Sequence, residues 1–478
     1  MHDELPFLEV SELARRLRRR ELSPVEVTRA LLERIDSVDQ ALHSYAHVTR
    51  DLALAQARVA EAEIARGLWR GPLHGVPVAL KDLFWTKGIP TTAGMTIHAN
   101  FRPTEDATVV RRLTEAGAVL LGKLKLTEGA VGEHHPAIEP PLNPWDANAW
   151  PGASSSGSGV AVAAGLCFAA MGSDTGGSIR FPSAANGVTG VKPSWGRVSR
   201  HGVFALSEIL DCMGPLARCV ADTATVLAAI AGPDALDPTA RHELVPDYPA
   251  SMTEGVRGLR IAVDPALLAG TDPLTASAIE AALKVFASLG VDIKPKRLAG
   301  FDEAVRAWWP LCSAGAALAH KQTFSSRAAE YGPSLRRVVE HGRALGAVDV
   351  MAALVARERF RATVAVFFDD VDLLILPVQA FAGPSLRQMQ EFAAAPDWRE
   401  HMLRFVAPFA LTGQPALVLP GGATPAGLPI GFQLVAMPMQ EPLLLRAGYA
   451  FQAETPWHRQ RPPPTTKPAS GDPRSHVR

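Results

Sequence analysis

An α/β fold is predicted for this chain of 478 residues, on three observations. From residue 71 onward, short apolar runs such as 76–80 and 373–378 alternate with stretches of helical spacing, as strands do in a sheet covered by helices. The composition, 47% hydrophobic and 20% charged, supplies an ordinary globular core. No long polar linker interrupts the body. One compact domain is therefore expected, although a spacing of about 150 residues per domain would allow three.

The elements follow in order. The first 66 residues read as helices. Ser23 can cap, Pro24 suits a first helical position, Glu26 completes a capping box, and Leu31, Leu32 and Ile35 continue at helical spacing. Residues 51–66, rich in Ala, Glu and Arg, form a second helix. Residues 76–80 read as a strand ending at Lys81-Asp82, 108–116 as a helix after Asp106, and 118–121 as the next strand. A buried small-residue helix at 160–164 and a strand at 166–171 come next. After about residue 230, 259–263 is a strand and Asp272-Pro273 starts a helix that ends near Gly290. Residues 301–367 are mainly helical and carry Trp308-Trp309. Then come a strand at 373–378, paired strands at 416–419 and 430–435, and a closing helix at 441–453. The expected division is a helical segment over 1–70 packing on an α/β body over 71–460, with a disordered tail over 461–478 that begins with Pro462-Pro463-Pro464.

Charge narrows the function. Lys+Arg and Asp+Glu are both 48, which argues against nucleic acid as a partner and against retention at a membrane by charge. Cys167, Cys212, Cys219 and Cys312 form no Cys-x-x-Cys, and His134-His135 has no ligand-spaced cysteine nearby, so neither a disulfide framework nor a metal site is expected. The N-terminus lacks an apolar run of the signal-peptide kind, and no stretch of about 18 apolar residues occurs. A reduced, cytoplasmic protein is predicted.

The informative region is 151–180. It reads as a Ser/Gly loop, a small-residue helix, a strand and a second Gly/Ser loop, Gly172-Ser173-Asp174-Thr175-Gly176-Gly177-Ser178. Successive glycines let backbone N–H groups converge on an anion. A structural turn, a phosphate site and a serine nucleophile beside its own oxyanion hole all fit such a loop. No Gly-Lys-Ser/Thr ending supports a P-loop, and Gly-x-Ser-x-Gly is missing around Ser178. A serine nucleophile needs a base, and a lysine kept neutral by burial can serve. Lys81 ends an apolar run; it is either that base or a residue salt-bridged to Asp82.

With these residues in hand, the chain resembles the amidase signature family, serine hydrolases with a Ser–cis-Ser–Lys triad. The likeness runs from about residue 8 to 458. Its blocks are Gly75-Val-Pro-Val-Ala-Leu-Lys81-Asp82, Pro90-Thr-Thr-Ala-Gly94, the 151–180 region, Gly190-Val-Lys-Pro193, Gly214-Pro-Leu-Ala-Arg218, Ala407-Pro-Phe-Ala-Leu-Thr-Gly413 and Leu428-Pro-Ile-Gly431. The run Asp174-Thr-Gly-Gly-Ser-Ile-Arg180 is its most specific part.

The resemblance implies a single large domain with a central mixed twisted sheet covered by helices. By position it makes Ser178 the nucleophile, Ser154 the bridging serine and Lys81 the base. The N–H groups of Thr175, Gly176, Gly177 and Ser178 become the oxyanion hole, with Ser155, Asp174 and Arg180 in support. The bridging serine would follow a cis peptide at Ala153–Ser154. Ala153 and Ser156 stand where the family often has glycine.

The resemblance also implies a small-molecule amide as substrate and no cofactor or metal. The family spans fatty-acid, aryl, peptide and urea-like amide hydrolases, and also the glutaminase component of glutamine-dependent aminoacyl-tRNA amidotransferase. That component holds the glutamine amino group with an aspartate, where this chain has Leu403, and carries an asparagine where Ala410 stands. A free-standing amidase is therefore the expected function, ahead of the amidotransferase component and of a catalytically dead binding protein. Candidate pocket residues lie in 128–135, with Gly129 and His134, and at Trp308 and Trp309. His134 reads either as a ligand contact or as a hydrogen-bonded structural residue. The tryptophans read as an aromatic wall, a core anchor or a contact between two copies of the chain.

Overall fold

The computed structural model describes residues 4–464. Eleven strands form one mixed sheet: β1 (Tyr45–Val48), β2 (Pro77–Lys81), β3 (Val119–Leu124), β4 (Ala169–Asp174), β5 (Thr189–Lys192), β6 (Cys212–Ala217), β7 (Arg260–Val263), β8 (Asp292–Pro295), β9 (Leu373–Pro377), β10 (Ala416–Ala423) and β11 (Pro429–Val435). Their spatial order is β1-β3-β2-β4-β6-β5-β10-β11-β9-β7-β8.

β2 lies between β3 and β4 and is parallel to both, and its five residues are all buried, as in parallel sheets whose two faces are both covered. That is why its sequence is a continuous apolar run rather than an alternating one. β4 leaves the parallel block by pairing antiparallel with β6, and β10 and β11 form the antiparallel pair expected around the glycine-rich connection. Most of the buried apolar side chains belong to a single core. No helix among the described residues is long and apolar enough to cross a membrane.

Several elements lie where the sequence places them. Ser23 caps the helix Pro24–Arg34 by accepting from the N–H groups of Val25 and Glu26. The helix Thr108–Glu115, the helix Pro273–Ser288 and the closing helix Glu441–Glu454 match their expected spans within a few residues. The N-terminal reading needs correction: 45–48 is a strand, not helix, and pairs antiparallel with β3 at the sheet's edge. The strand expected at 166–171 is displaced to Ala169–Asp174, because its ladder with β6 continues through Gly172↔Gly214 and Asp174↔Cys212 after the apolar run has ended. β5, β6 and β8 are strands that the sequence pattern does not mark. Of the expected tail, 465–478 lies outside the described residues, while Arg461 at its start pairs with Glu4 (2.8 Å).

Candidate active site

The parallel arrangement of β2 and β4 brings their carboxyl ends to one edge of the sheet, the usual place for a site in such sheets. Lys81 is the last residue of β2. Leu80 pairs with Met171, so Ser173 of β4 lies just beyond it. The Lys81 Nζ donates to Ser154 Oγ (2.7 Å), Ser173 Oγ (2.8 Å) and Ser155 Oγ (2.9 Å). Lys81 is fully buried. That burial brings its pKa down from 10.5 to about 7, against the pull of the Asp174 and Asp211 carboxylates. Asp82 turns away from it: its Oδ1 is 3.2 Å from the Lys123 ammonium and its Oδ2 accepts from Thr92. The salt-bridged reading of Lys81 with Asp82 is thus set aside by geometry.

The serine loop enters the helix Ser156–Ala163, and the Ala153–Ser154 peptide is cis. Ser155 ties the loop to both neighbours. Its N–H donates to Ser178 O (3.1 Å), and its hydroxyl donates to Ser173 O (3.2 Å). From the other side, the Thr127 N–H donates to Ser154 O (3.2 Å).

β4 continues into the turn Thr175–Ser178, and the Asp174 carboxylate organises it. One oxygen accepts from the Gly177 N–H (2.7 Å) and from Arg180 Nη2 (2.9 Å). The other accepts from the Ile179 N–H (3.2 Å) and from Arg180 Nε (3.0 Å). Burial works against the charge on Asp174, but Arg180 and the other donors outweigh it and hold its pKa at about 2. Arg180 in turn reaches Gln433 Oε1 on β11 (3.3 Å).

One expectation is corrected here. The Gly177 N–H is committed to Asp174 and leaves the set of free oxyanion donors. The N–H groups of Thr175, Gly176 and Ser178 make no hydrogen bond to any described residue. Between Ser154 and Asn186 every residue is buried except Ser178, which is partly exposed.

Trp308 is a core anchor for this turn and not an open aromatic wall. Its indole N–H donates to Thr175 O (2.8 Å), and its ring lies so close to Gly176 that a Cβ there would sit 2.4 Å from Cζ2. Gly177 has φ +117°, and its missing Cβ faces Phe181 and Val406. Trp309 is stacked under the Arg399 guanidinium (3.6 Å) and donates to His341 (3.3 Å). His134 reaches Ser156 Oγ (3.1 Å), and burial, reinforced by Lys125, brings its pKa down to about 4, so it is neutral near pH 7. Gly129 faces Leu335 and His320.

Three contributors leave no mark that sequence reasoning could use: Ser173 and Thr127, described above, and Asp211. The Asp211 carboxylate accepts from Thr175 Oγ1 (2.6 Å) and from the Leu206 and Ser207 N–H groups (2.9 and 3.1 Å), and burial raises its pKa to about 6. Only the strand register, which places Ser173 beyond Lys81, and the 206–211 loop reveal them. Neither has a local sequence signal.

Among known proteins, the family model described as Amidase matches residues 26–445. The chain is 44% identical to "Putative amidase AmiD" of Mycobacterium tuberculosis over 96% of this chain and 97% of that protein. It is 39% identical to the A chain of the glutamyl-tRNA(Gln) amidotransferase of Geobacter sp., over 96% of this chain and all of that protein (100%). Among solved structures it is similar to native peptide amidase from Stenotrophomonas maltophilia, with a TM-score of 0.79 and 30% identity, covering 96% of this chain and 98% of that one.

Proposed function

The chain belongs to the amidase signature family of amide C–N hydrolases, and from that premise we propose that it is a free-standing amidase working through a serine acyl-enzyme. The observation that carries this reading is a fully buried lysine, its pKa near 7, in contact with Ser154 beside a turn whose one partly exposed residue is a serine.

Neutral Lys81 takes the Ser154 hydroxyl proton as Ser154 takes the proton of Ser178. The Ser178 oxygen then attacks the amide carbonyl carbon. The N–H groups of Thr175, Gly176 and Ser178 receive the resulting oxyanion, each such donor contributing about 3–4 kcal/mol in comparable sites. Collapse expels the amine, which receives the proton back through Ser154, and water cleaves the acyl-enzyme by the same relay. Ser155, Ser173, Asp174, Arg180 and Asp211 hold these groups in place.

The second reading is the glutaminase component of a tRNA-dependent amidotransferase, which the likeness to the Geobacter protein favours. Against it stands Leu403, which packs against an apolar cluster with Phe181 and Val406 and gives an α-ammonium no counter-charge. The free-standing reading carries a cytoplasmic protein with a small-molecule amide as its substrate and no nucleic acid. The purified chain is expected to hydrolyse primary or aryl amides without tRNA or ATP. Silence on all amides, with glutaminase activity only after partner proteins are added, would overturn it.

A further inference from the structure

Resting on the amidase reading, we infer that Arg399 receives an anionic group of the substrate, so that preferred amides carry a carboxylate beside an apolar body. The segment from the helix Trp398–Leu403 to Val406 touches the Thr175–Ser178 turn at its Val406 end and approaches it through two indole rings at its Arg399 end. At one end, Val406 Cγ2 is 3.0 Å from the position a Cβ would take on Gly177. At the other, the Arg399 guanidinium covers Trp309, whose ring centroid is 6.3 Å from that of Trp308, the residue packed on Gly176. One aromatic ring thus separates Arg399 from the residue that braces the oxyanion turn.

Arg399 differs from Arg180, the other arginine at the site, in having no anion. Arg180 has Asp174, whereas Arg399 makes no hydrogen bond or ion pair to any described residue, and its neighbour Glu400 does not reach it. It is half-buried between Trp309 and Trp398. Burial and the charge of Arg337 both work against its ionised form, and the neighbouring Glu400 does not cancel them. Stacking satisfies the guanidinium face but none of its five N–H donors, and it fixes the plane in which a carboxylate could be bound through two of them. The residues packed about this segment are apolar: Phe181, Met402 and Val406 are buried in one cluster, and Trp150, Phe381, Trp398 and Leu403 pack against it partly covered. An amide with an apolar body and a terminal carboxylate matches both features.

The test compares kcat/KM for amides bearing a carboxylate with their neutral methyl ketone counterparts. Monoanilides of dicarboxylic acids place the charge on the acyl side, and N-acyl 4-aminobenzoates place it on the leaving side. The wild-type enzyme is expected to favour the charged member of at least one pair by about 10- to 100-fold, the usual range for a charge-assisted pair of hydrogen bonds. In Arg399→Gln that ratio should fall to about one, carried by KM, while Arg399→Lys retains part of it. Arg387→Gln, an exposed residue paired with Glu391, should leave the ratio unchanged. Labelling of Ser178 by a fluorophosphonate reports separately that each variant is folded with its nucleophile intact, and turnover of the neutral members without tRNA or ATP reports that the amidase reading holds. A wild-type ratio near one across both series, or a ratio preserved in a labelled Arg399→Gln enzyme, would overturn the inference.

Discussion

In the proposed mechanism Lys81 sets the acid side of the rate profile. Its pKa near 7 means that the neutral fraction falls about tenfold for each pH unit below that value, and kcat/KM should fall with it. Above about pH 8 the same curve should level off. Lys81→Arg is expected to lose about 10²- to 10⁴-fold in rate, because guanidinium does not give up its proton in a protein. A Lys81→Arg enzyme with near-normal turnover at pH 7.5 would place the base elsewhere. Ser178→Ala should lose both amide hydrolysis and fluorophosphonate labelling while its denaturation midpoint stays close to that of the wild type. Labelling retained at another serine, together with activity, would refute the assignment. A lysine at the end of a five-residue apolar run and a Gly-Gly-Ser turn are local signals that mark both positions, but those signals leave other roles open, and the roles given to Ser178 and Lys81 come from the resemblance. Ser173, which touches Lys81 as closely as Ser154 does, has no such signal, because its position depends on the pairing of β2 with β4.

At the scale of the element, the unit that matters is β4, its turn and the helix Arg180–Asn186. Asp174 holds that unit closed through three N–H groups and one guanidinium, all buried. Asp174→Asn leaves Arg180 charged and unpaired in the core, and the expected cost is about 3–5 kcal/mol in a urea titration. Gly176→Ala tests the packing of the same unit. Its added methyl meets the Trp308 ring, so a loss of about 1–3 kcal/mol and a lower kcat are expected, with Trp308→Leu restoring part of the stability. A Gly176→Ala enzyme with wild-type stability and rate would mean that the indole moves freely. The sequence locates this unit but misleads about its interior. The resemblance implies four converging amides, and position alone cannot show that the Asp174 carboxylate, three residues before Gly177, takes one of them. The start of β4 is displaced for a related reason: hydrophobicity marks burial, whereas a strand ends where its ladder ends.

For the whole molecule, the proposed proton path runs through Ser154 and Lys81 and involves no metal, so EDTA treatment is expected to leave the rate unchanged. Loss of activity that zinc restores would redirect attention to His134 and His135. The long-range order of the sheet is the part least legible in the sequence. Alternating runs indicate the class, but β1, four residues long and embedded between helices, carries no pattern that separates it from them. Its place is set by β3, where Gly122 has no Cβ and the backbone of His47 and the ring of Tyr45 come too close to admit one. β1 therefore acts as a cap on the sheet. A truncated chain beginning after residue 48 would expose the unpaired N–H and C=O groups of β3 to any other strand in solution, and self-association by edge pairing is the fate such a fragment should meet.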